Sequence, residues 1–360
     1  MTISLCMIVK NEEKVLKKCL ASVQGIADEI VIADTGSSDA TKDVARKFTN
    51  LVYEFTWTDD FSAARNFVFD KASGDYLLWL DADDILLPND RAKLKKLKKS
   101  LDPAVDVVMM KYNTGFDADG NVSFSYYRER LVKRACHFRW KEPVHEYLET
   151  GGRIINSDVA VTHTKIQREP SDRNIKIYEA ILAEGGELSP RGQYYYAREL
   201  KDNGRFAEAA AMFRRFLDGG QGWVEDKIAA CLELSACLGQ ENDPQRELLT
   251  LLESFSYDLP RAEICCRIGY YYKQRGDYER AAFWFRLALS LKKPKGDWGF
   301  IQEDCWGFIP AIELAVCLDR LGRAKEAAAY NEMAATFKPR DPSVKSNRRY
   351  FQELNKKAQT

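Results

Sequence analysis

Apolar residues in the first 113 positions fall into short, nearly continuous runs at residues 3–9, 30–33, 51–55, 76–80 and 105–112. Amphipathic stretches separate them, the clearest at 12–23, where Leu16, Leu20 and Val23 recur at i, i+4 and i+7 and so share one helical face. Strands alternating with helices predict βαβ crossovers and a mostly parallel sheet, and runs without polar alternation suit a sheet covered on both faces. From 115 to 165 the pattern changes. Turn-forming residues at 117–121 (Asp-Ala-Asp-Gly-Asn) and at Gly151-Gly152 separate alternating segments such as 123–132, which predicts antiparallel strands completing the same domain.

Beyond Asp172 the strand signals stop and a phrase repeats. Ala197-x-x-Leu200-x-x-x-Gly204-Arg-Phe206-x-x-Ala209-Ala-x-x-Phe213-Arg returns as Ile268-Gly269 … Gly276-Asp-Tyr278-x-x-Ala281-Ala-x-x-Phe285-Arg. The two glycines are 276 − 204 = 72 residues apart, about twice the ~34-residue period of a tetratricopeptide repeat. A degenerate copy is expected between them at 231–252, helical in pattern but without the Gly-aromatic turn. A further copy carries Gly322, 322 − 276 = 46 residues on, which places an insertion at 292–306. The expected organisation is an α/β domain over residues 1–170 and an all-α solenoid of helix hairpins over 171–360. Most residues of Tyr194-Tyr195-Tyr196, Tyr270-Tyr271-Tyr272 and Trp284 are expected in its core, with the remainder lining a groove or a homodimer seam.

Composition narrows the function. With 45% hydrophobic residues the chain can fill real cores, and 54 Lys+Arg against 54 Asp+Glu removes the overall basic field that would favour nucleic acid. No apolar run approaches the roughly 18 residues of a membrane span, and the N-terminus reads as a strand rather than a signal peptide, so a cytoplasmic protein is expected. Nine cysteines without a Cys-x-x-Cys pair speak against zinc and for small buried hydrophobes. Residues 91–99 hold six cations and no acid. With Leu94, Leu97 and Leu101 on one side they read as a solvated amphipathic helix, or in a sharper reading as a contact for anionic lipid or an acidic substrate.

Candidate chemistry gathers where strands end. The run at 76–80 leads into Asp81-Ala82-Asp83-Asp84, and two aspartates one residue apart can hold a hard divalent cation. Asp34-Thr-Gly36-Ser-Ser-Asp-Ala-Thr41 follows another strand and precedes a helix, and Phe61-Ser-Ala-Ala-Arg65-Asn66 opens the helix leading to the aspartates.

With Met-Ile-Val-Lys-Asn-Glu at residues 7–12, these phrases resemble family-2 glycosyltransferases of the GT-A fold over about residues 1–165. The resemblance implies a Rossmann-like mixed sheet and a UDP-sugar donor. The donor would be held by Val9, Asn11, Glu12, Asp34, Gly36, Arg65, Asn66, Asp81 and Ala82. Asp83 would bind Mn²⁺ or Mg²⁺ with Asp84 as a helper. The segment Trp140-Lys-Glu-Pro-Val-His145-Glu146 resembles the branch of the family linked to tetratricopeptide repeats, which implies Glu146 as general base and His145 as base or donor contact. His163 matches a histidine that completes the metal site, although the Thr-Lys-Ile after it departs from the Gly-aromatic pair of that branch. His137 reads as a surface or packing residue. The domain order resembles sublancin-type peptide S-glycosyltransferases, implying a peptide or protein acceptor glycosylated on Cys or Ser. A cell-envelope or lipid-linked saccharide acceptor is the nearest alternative, and a non-catalytic tetratricopeptide scaffold the second.

Overall fold

The computed structural model describes residues 1–116, 120, 122–164, 172–293 and 301–357. The turn expected at 117–121 therefore lies outside the described residues except for Gly120, as does the 294–300 part of the expected insertion. The chain divides into two compact units, Met1–Glu187 and Leu188–Thr360.

The first unit begins with β1 (Ile3–Val9), α1 (Leu16–Ser22), β2 (Glu29–Asp34), α2 (Thr41–Arg46), β3 (Val52–Glu54), α3 (Phe61–Lys71) and β4 (Tyr76–Trp79). It continues through β5 (Asp84–Ile85), α4 (Pro88–Ser100), β6 (Val107–Phe116), β7 (Val122–Lys133), β8 (Arg139–Lys141), β9 (Tyr147–Glu149), β10 (Ile154–His163) and α5 (Arg173–Ala183). Eight strands form one sheet in the order β3-β2-β1-β4-β7-β6-β10-β5, and β8 and β9 form a separate hairpin. The first four strands pair in parallel, whereas β7 runs antiparallel to both β4 and β6. Alternate residues of β1 enter different cores. Ile3, Leu5, Met7 and Val9 pack with Leu16 and Leu20 of α1 and Leu94 of α4, while Cys6 joins Val68 and Phe69 of α3, Trp79 and Trp140. The helix expected at 12–23 is confined to Leu16–Ser22. Its start is drawn aside because the Asn11 and Glu12 backbone N–H groups donate to Ser37 Oγ in the loop after β2 and to Thr41 Oγ1 at the start of α2.

The second unit is helical. Four hairpins, α6 (Pro190–Asp202) with α7 (Phe206–Asp218), α8 (Val224–Gln240) with α9 (Pro244–Glu253), α10 (Ala262–Gln274) with α11 (Tyr278–Ser290) and α12 (Phe308–Arg320) with α13 (Ala324–Phe337), precede α14 (Pro342–Lys357). Each hairpin turns on a left-handed residue: Gly204 (φ 75°), Asn242 (φ 56°), Gly276 (φ 75°) and Gly322 (φ 76°). The copy without a turn glycine is thus complete, because Asn is among the few side chains that enter this region at modest cost. Small residues let the helices approach: a Cβ on Gly269 would lie 2.8 Å from the Phe285 ring. Tyr194, Tyr195 and Tyr196 are buried, and Tyr270, Tyr271 and Tyr272 are half-buried. Eight of the nine free cysteines are buried across the two units. Among the described residues no helix is long and apolar enough to cross a membrane.

Candidate functional site

A cleft of about 490 Å³ opens in the first unit where β1 and β4 end. Its walls include Val9, Asn11, Glu12, Arg65, Asp81, Ala82, Asp83, His145, Glu146 and His163. The carboxyl ends of parallel strands collect ligand-binding loops because crossovers leave a crevice there.

The acidic turn is locked by its own backbone. Asp84 N–H donates to Asp81 O at 3.0 Å, and Asp81 N–H donates to Asp84 Oδ2 at 3.1 Å. The short β5 then pairs antiparallel with β10, setting Asp84 opposite His163. Thr164 fixes the join by donating both N–H and Oγ1 to Asp83 O, so the residue that departs from the family pattern has a bracing role here. His163 Nδ1 lies 3.5 Å from Asp83 Oδ1, 3.6 Å from Asp84 Oδ1 and 3.2 Å from Tyr112 Oη. The adjacent carboxylates of Asp83 and Asp84 outweigh burial and lift the His163 pKa to about 9. Asp83, Asp84 and His163 form a three-residue cluster that can hold a metal ion, and Asp84 Oδ1 is buried without a hydrogen-bond partner. Two carboxylates suit Mn²⁺ or Mg²⁺ in donor type, and the imidazole beside them favours Mn²⁺ of the two, so these residues fit the cation.

Arg65 occupies the floor of the cleft. It is 8% exposed, donates Nε–H to Glu146 Oε1 at 2.6 Å and Nη2–H to Asp81 Oδ1 at 2.7 Å, and stacks on Trp140 and Trp79 with its guanidinium carbon 4.7 and 5.2 Å from the ring centres. Burial by itself would raise the Asp81 carboxyl, but Arg65, followed by Arg130, outweighs it and holds the group down at about 2. Glu146 emerges from a turn in which Glu142 (φ 73°) and His145 (φ 52°) are both left-handed. Such residues cost on the order of 1 kcal/mol each and persist where packing enforces them. Here Pro143 O accepts from Phe61 N–H at 2.9 Å, and Val144 is buried with its carbonyl accepting from Tyr178 of α5 at 3.4 Å.

Three expected donor residues do not line the cleft. Asn66 turns toward the Trp140 backbone, donating to its O at 3.0 Å and accepting from its N–H at 2.9 Å. Asp34 and Gly36 flank Thr35, which does line the cleft; Asp34 is buried and Gly36 exposed. Asp34 Oδ1 accepts from Gly36 and Ser37 N–H, while its Oδ2 is buried without a partner. Residues not anticipated from sequence also reach the cleft: Lys10, Trp57 and Phe61, and Arg173 with Asn174 from the start of α5. Arg173 stacks 4.5 Å from the Phe61 ring centre. Lys10 and Phe61 lie inside the phrases at 7–12 and 61–66, whereas Trp57, Arg173 and Asn174 belong to no motif. His137 is exposed, as expected.

Residues 4–176 match glycosyl transferase family 2, and residues 262–294 match the tetratricopeptide repeat. Residues 4–176 therefore carry a family-2 glycosyltransferase domain, and the helical unit that follows carries a tetratricopeptide repeat at 262–294. It is 27% identical over 295 residues to a TPR repeat-containing protein of Synechococcus elongatus, covering 80% of this chain and 66% of that one. It is 24% identical over 287 residues to the SPbeta prophage-derived glycosyltransferase SunS of Bacillus subtilis, covering 75% and 65%. Glycosyltransferase GlyA of Streptococcus pneumoniae is 28% identical over 139 residues, covering 35% and 20%. The chain thus matches just under two thirds of the length of the first two relatives.

Proposed function

We propose that this chain is a metal-dependent, inverting glycosyltransferase that moves a sugar from a UDP-sugar to a Cys or Ser side chain of a peptide or protein. The observation that carries the reading is the convergence, in one cleft, of Asp83 and His163, backed by the buried Asp84 of the same cation-binding cluster, with two carboxylates bridged by a buried arginine (Asp81, Arg65, Glu146). The unpartnered Asp34 Oδ2, next in the chain to the cleft-lining Thr35, supports a uracil imide as its partner, since a buried acceptor needs a donor. A bound divalent cation would supply positive charge to the diphosphate leaving group. Glu146 takes the proton of the acceptor; Arg65 occupies its Oε1, which leaves Oε2 for that task. Arg65 itself is spent on bridging Asp81 to Glu146, so we assign its role to positioning these carboxylates rather than to the diphosphate. Repeats that present grooves to polypeptides support a peptide acceptor. A cytoplasmic location and a homodimer through the helical unit belong to the same proposal, and sedimentation of the purified chain checks the latter.

The test is release of UDP from a panel of UDP-sugars with Mn²⁺, with and without chelator, for the wild type and Asp83→Asn. Metal-dependent release from one donor, reduced at least about 100-fold in the variant, is expected; release indifferent to chelator would remove the cation from the reaction. A mass gain of one hexose on a co-expressed peptide supports the peptide acceptor. A second reading, a lipid-linked saccharide acceptor, is favoured by the exposed Lys95, Lys96 and Lys99 of α4, and loss of a lipid-linked oligosaccharide in a deletion strain would select it.

A further inference from the structure

Beneath the acidic turn lies a second arginine that no sequence motif marks. Arg130, on β7, is fully buried and lies between Trp79 and Tyr112, its guanidinium carbon 3.8 and 4.3 Å from the ring centres. Its Nη1–H donates to Asp84 Oδ2 at 3.0 Å and to Trp79 O at 3.2 Å. Asp84 Oδ2 also accepts from Asp81 N–H, so that oxygen is engaged twice. The other oxygen, Oδ1, is buried, has no hydrogen-bond partner and lies 3.6 Å from His163 Nδ1. Leaving a charged oxygen dry and unbonded is costly unless something else meets it.

We infer that Asp84 is a third ligand of the cation site through Oδ1, and that Arg130 is the positioning residue that turns this oxygen toward Asp83 and His163. The inference rests on the metal-dependent reading above. Its logic is one of division of labour within a single carboxylate: one oxygen is pinned by the protein, so only the other can face an ion. Tyr112 extends the brace, because the ring that covers Arg130 also places its hydroxyl 3.2 Å from His163 Nδ1. Charge gives a second consequence. Asp83, Asp84 and Arg130 with a divalent cation would carry one net positive charge, and the Asp81–Arg65–Glu146 bridge beside them carries one net negative charge, so a bound cation would bring the cleft to balance and lift the repulsion of an anionic diphosphate.

The experiment measures Mn²⁺ binding to the full chain without donor, by the paramagnetic resonance signal of free Mn²⁺, with folding followed by circular dichroism. Asp84→Asn and Arg130→Lys are compared with the wild type below their melting temperatures. Arg130→Lys keeps the charge but not the planar fork, and is expected to weaken Mn²⁺ binding about 10-fold or more, as loss of a supporting partner does. Asp84→Asn is expected to weaken it at least as much. Folded variants that bind Mn²⁺ like the wild type would overturn the inference while leaving the metal-dependent reading intact. A wild type that binds no Mn²⁺ would overturn both. If Asp84→Asn does not fold, Arg130→Lys decides alone.

Discussion

Around Trp79 the first unit buries two guanidiniums in close contact with carboxylates: Arg65 at 2.7 and 2.6 Å from Asp81 and Glu146, and Arg130 at 3.0 Å from Asp84. In the second unit the buried Asp226 of α8 faces Arg191 at 3.9 Å, and its Oδ1 has no hydrogen-bond partner. Burial pushes both Asp81 and Asp226 upward, yet Asp81 is held at about 2 and Asp226 rises to about 6. Two things differ: the Asp81 pair closes with directed N–H bonds and its side chain is 38% exposed, whereas Asp226 makes a contact an ångström longer and is 4% exposed. Charge is thus kept ionised at the cleft, where the proposed chemistry needs it, and tolerated as a liability in the repeat array.

Removing the close contact tests this most severely. Arg65→Met strands two carboxylates and should destabilise the first unit by about 3 kcal/mol, lowering its calorimetric transition by roughly 6 to 12 °C; an unchanged transition would mean the bridge is energetically idle. Asp226→Asn tests the open contact in the opposite sense. Because the folded pKa lies above the ordinary 3.8, the carboxyl's contribution is intact below pH 4 and is lost as pH rises through about 6. The variant should therefore be more stable than the wild type by roughly 2 kcal/mol at pH 8 and no more stable at pH 4. Asp81 has the reverse sign, with a contribution lost only as pH falls from 3.8 through about 2, so acidification from pH 7 to pH 4 should strengthen the second unit's Asp226 region without weakening Asp81's. The smallest effect concerns uncharged backbone: Asn242→Gly should gain about 0.5 kcal/mol and Gly276→Ala lose about 1 kcal/mol in urea unfolding, since both positions are left-handed. Equal responses at the two sites would break the equivalence of their hairpins.

Much of the architecture was legible in residue order. The strands at 3–9 and 76–80, the hairpin strand near 123–132 and the repeat turns at Gly204, Gly276 and Gly322 are local properties, written in apolar periodicity and in the need for a residue that tolerates positive φ. The turn at Asn242 escaped the glycine pattern because a second residue type serves the same backbone conformation. Of the candidate site, the acidic turn, Arg65, Glu146 and His163 were visible as motifs: Asp81, Glu146 and His163 sit where strands meet loops, and Arg65 lies in the second turn of α3.

What the sequence by itself determined, then, is the set of elements, the repeat and the residues capable of chemistry. Tertiary structure alone decided their partners. Pairing of β5 with β10 brings Asp84 opposite His163 across 163 − 84 = 79 residues of chain, and the neighbouring strands β4, β6 and β7 assemble Trp79, Tyr112 and Arg130 into one stack. It also turned Asn66 away from the cleft and committed Arg65 to a bridge. The physical reason is range: periodicity and turn preference act within a few residues, whereas desolvation and ion pairing depend on groups that only the closed sheet makes neighbours.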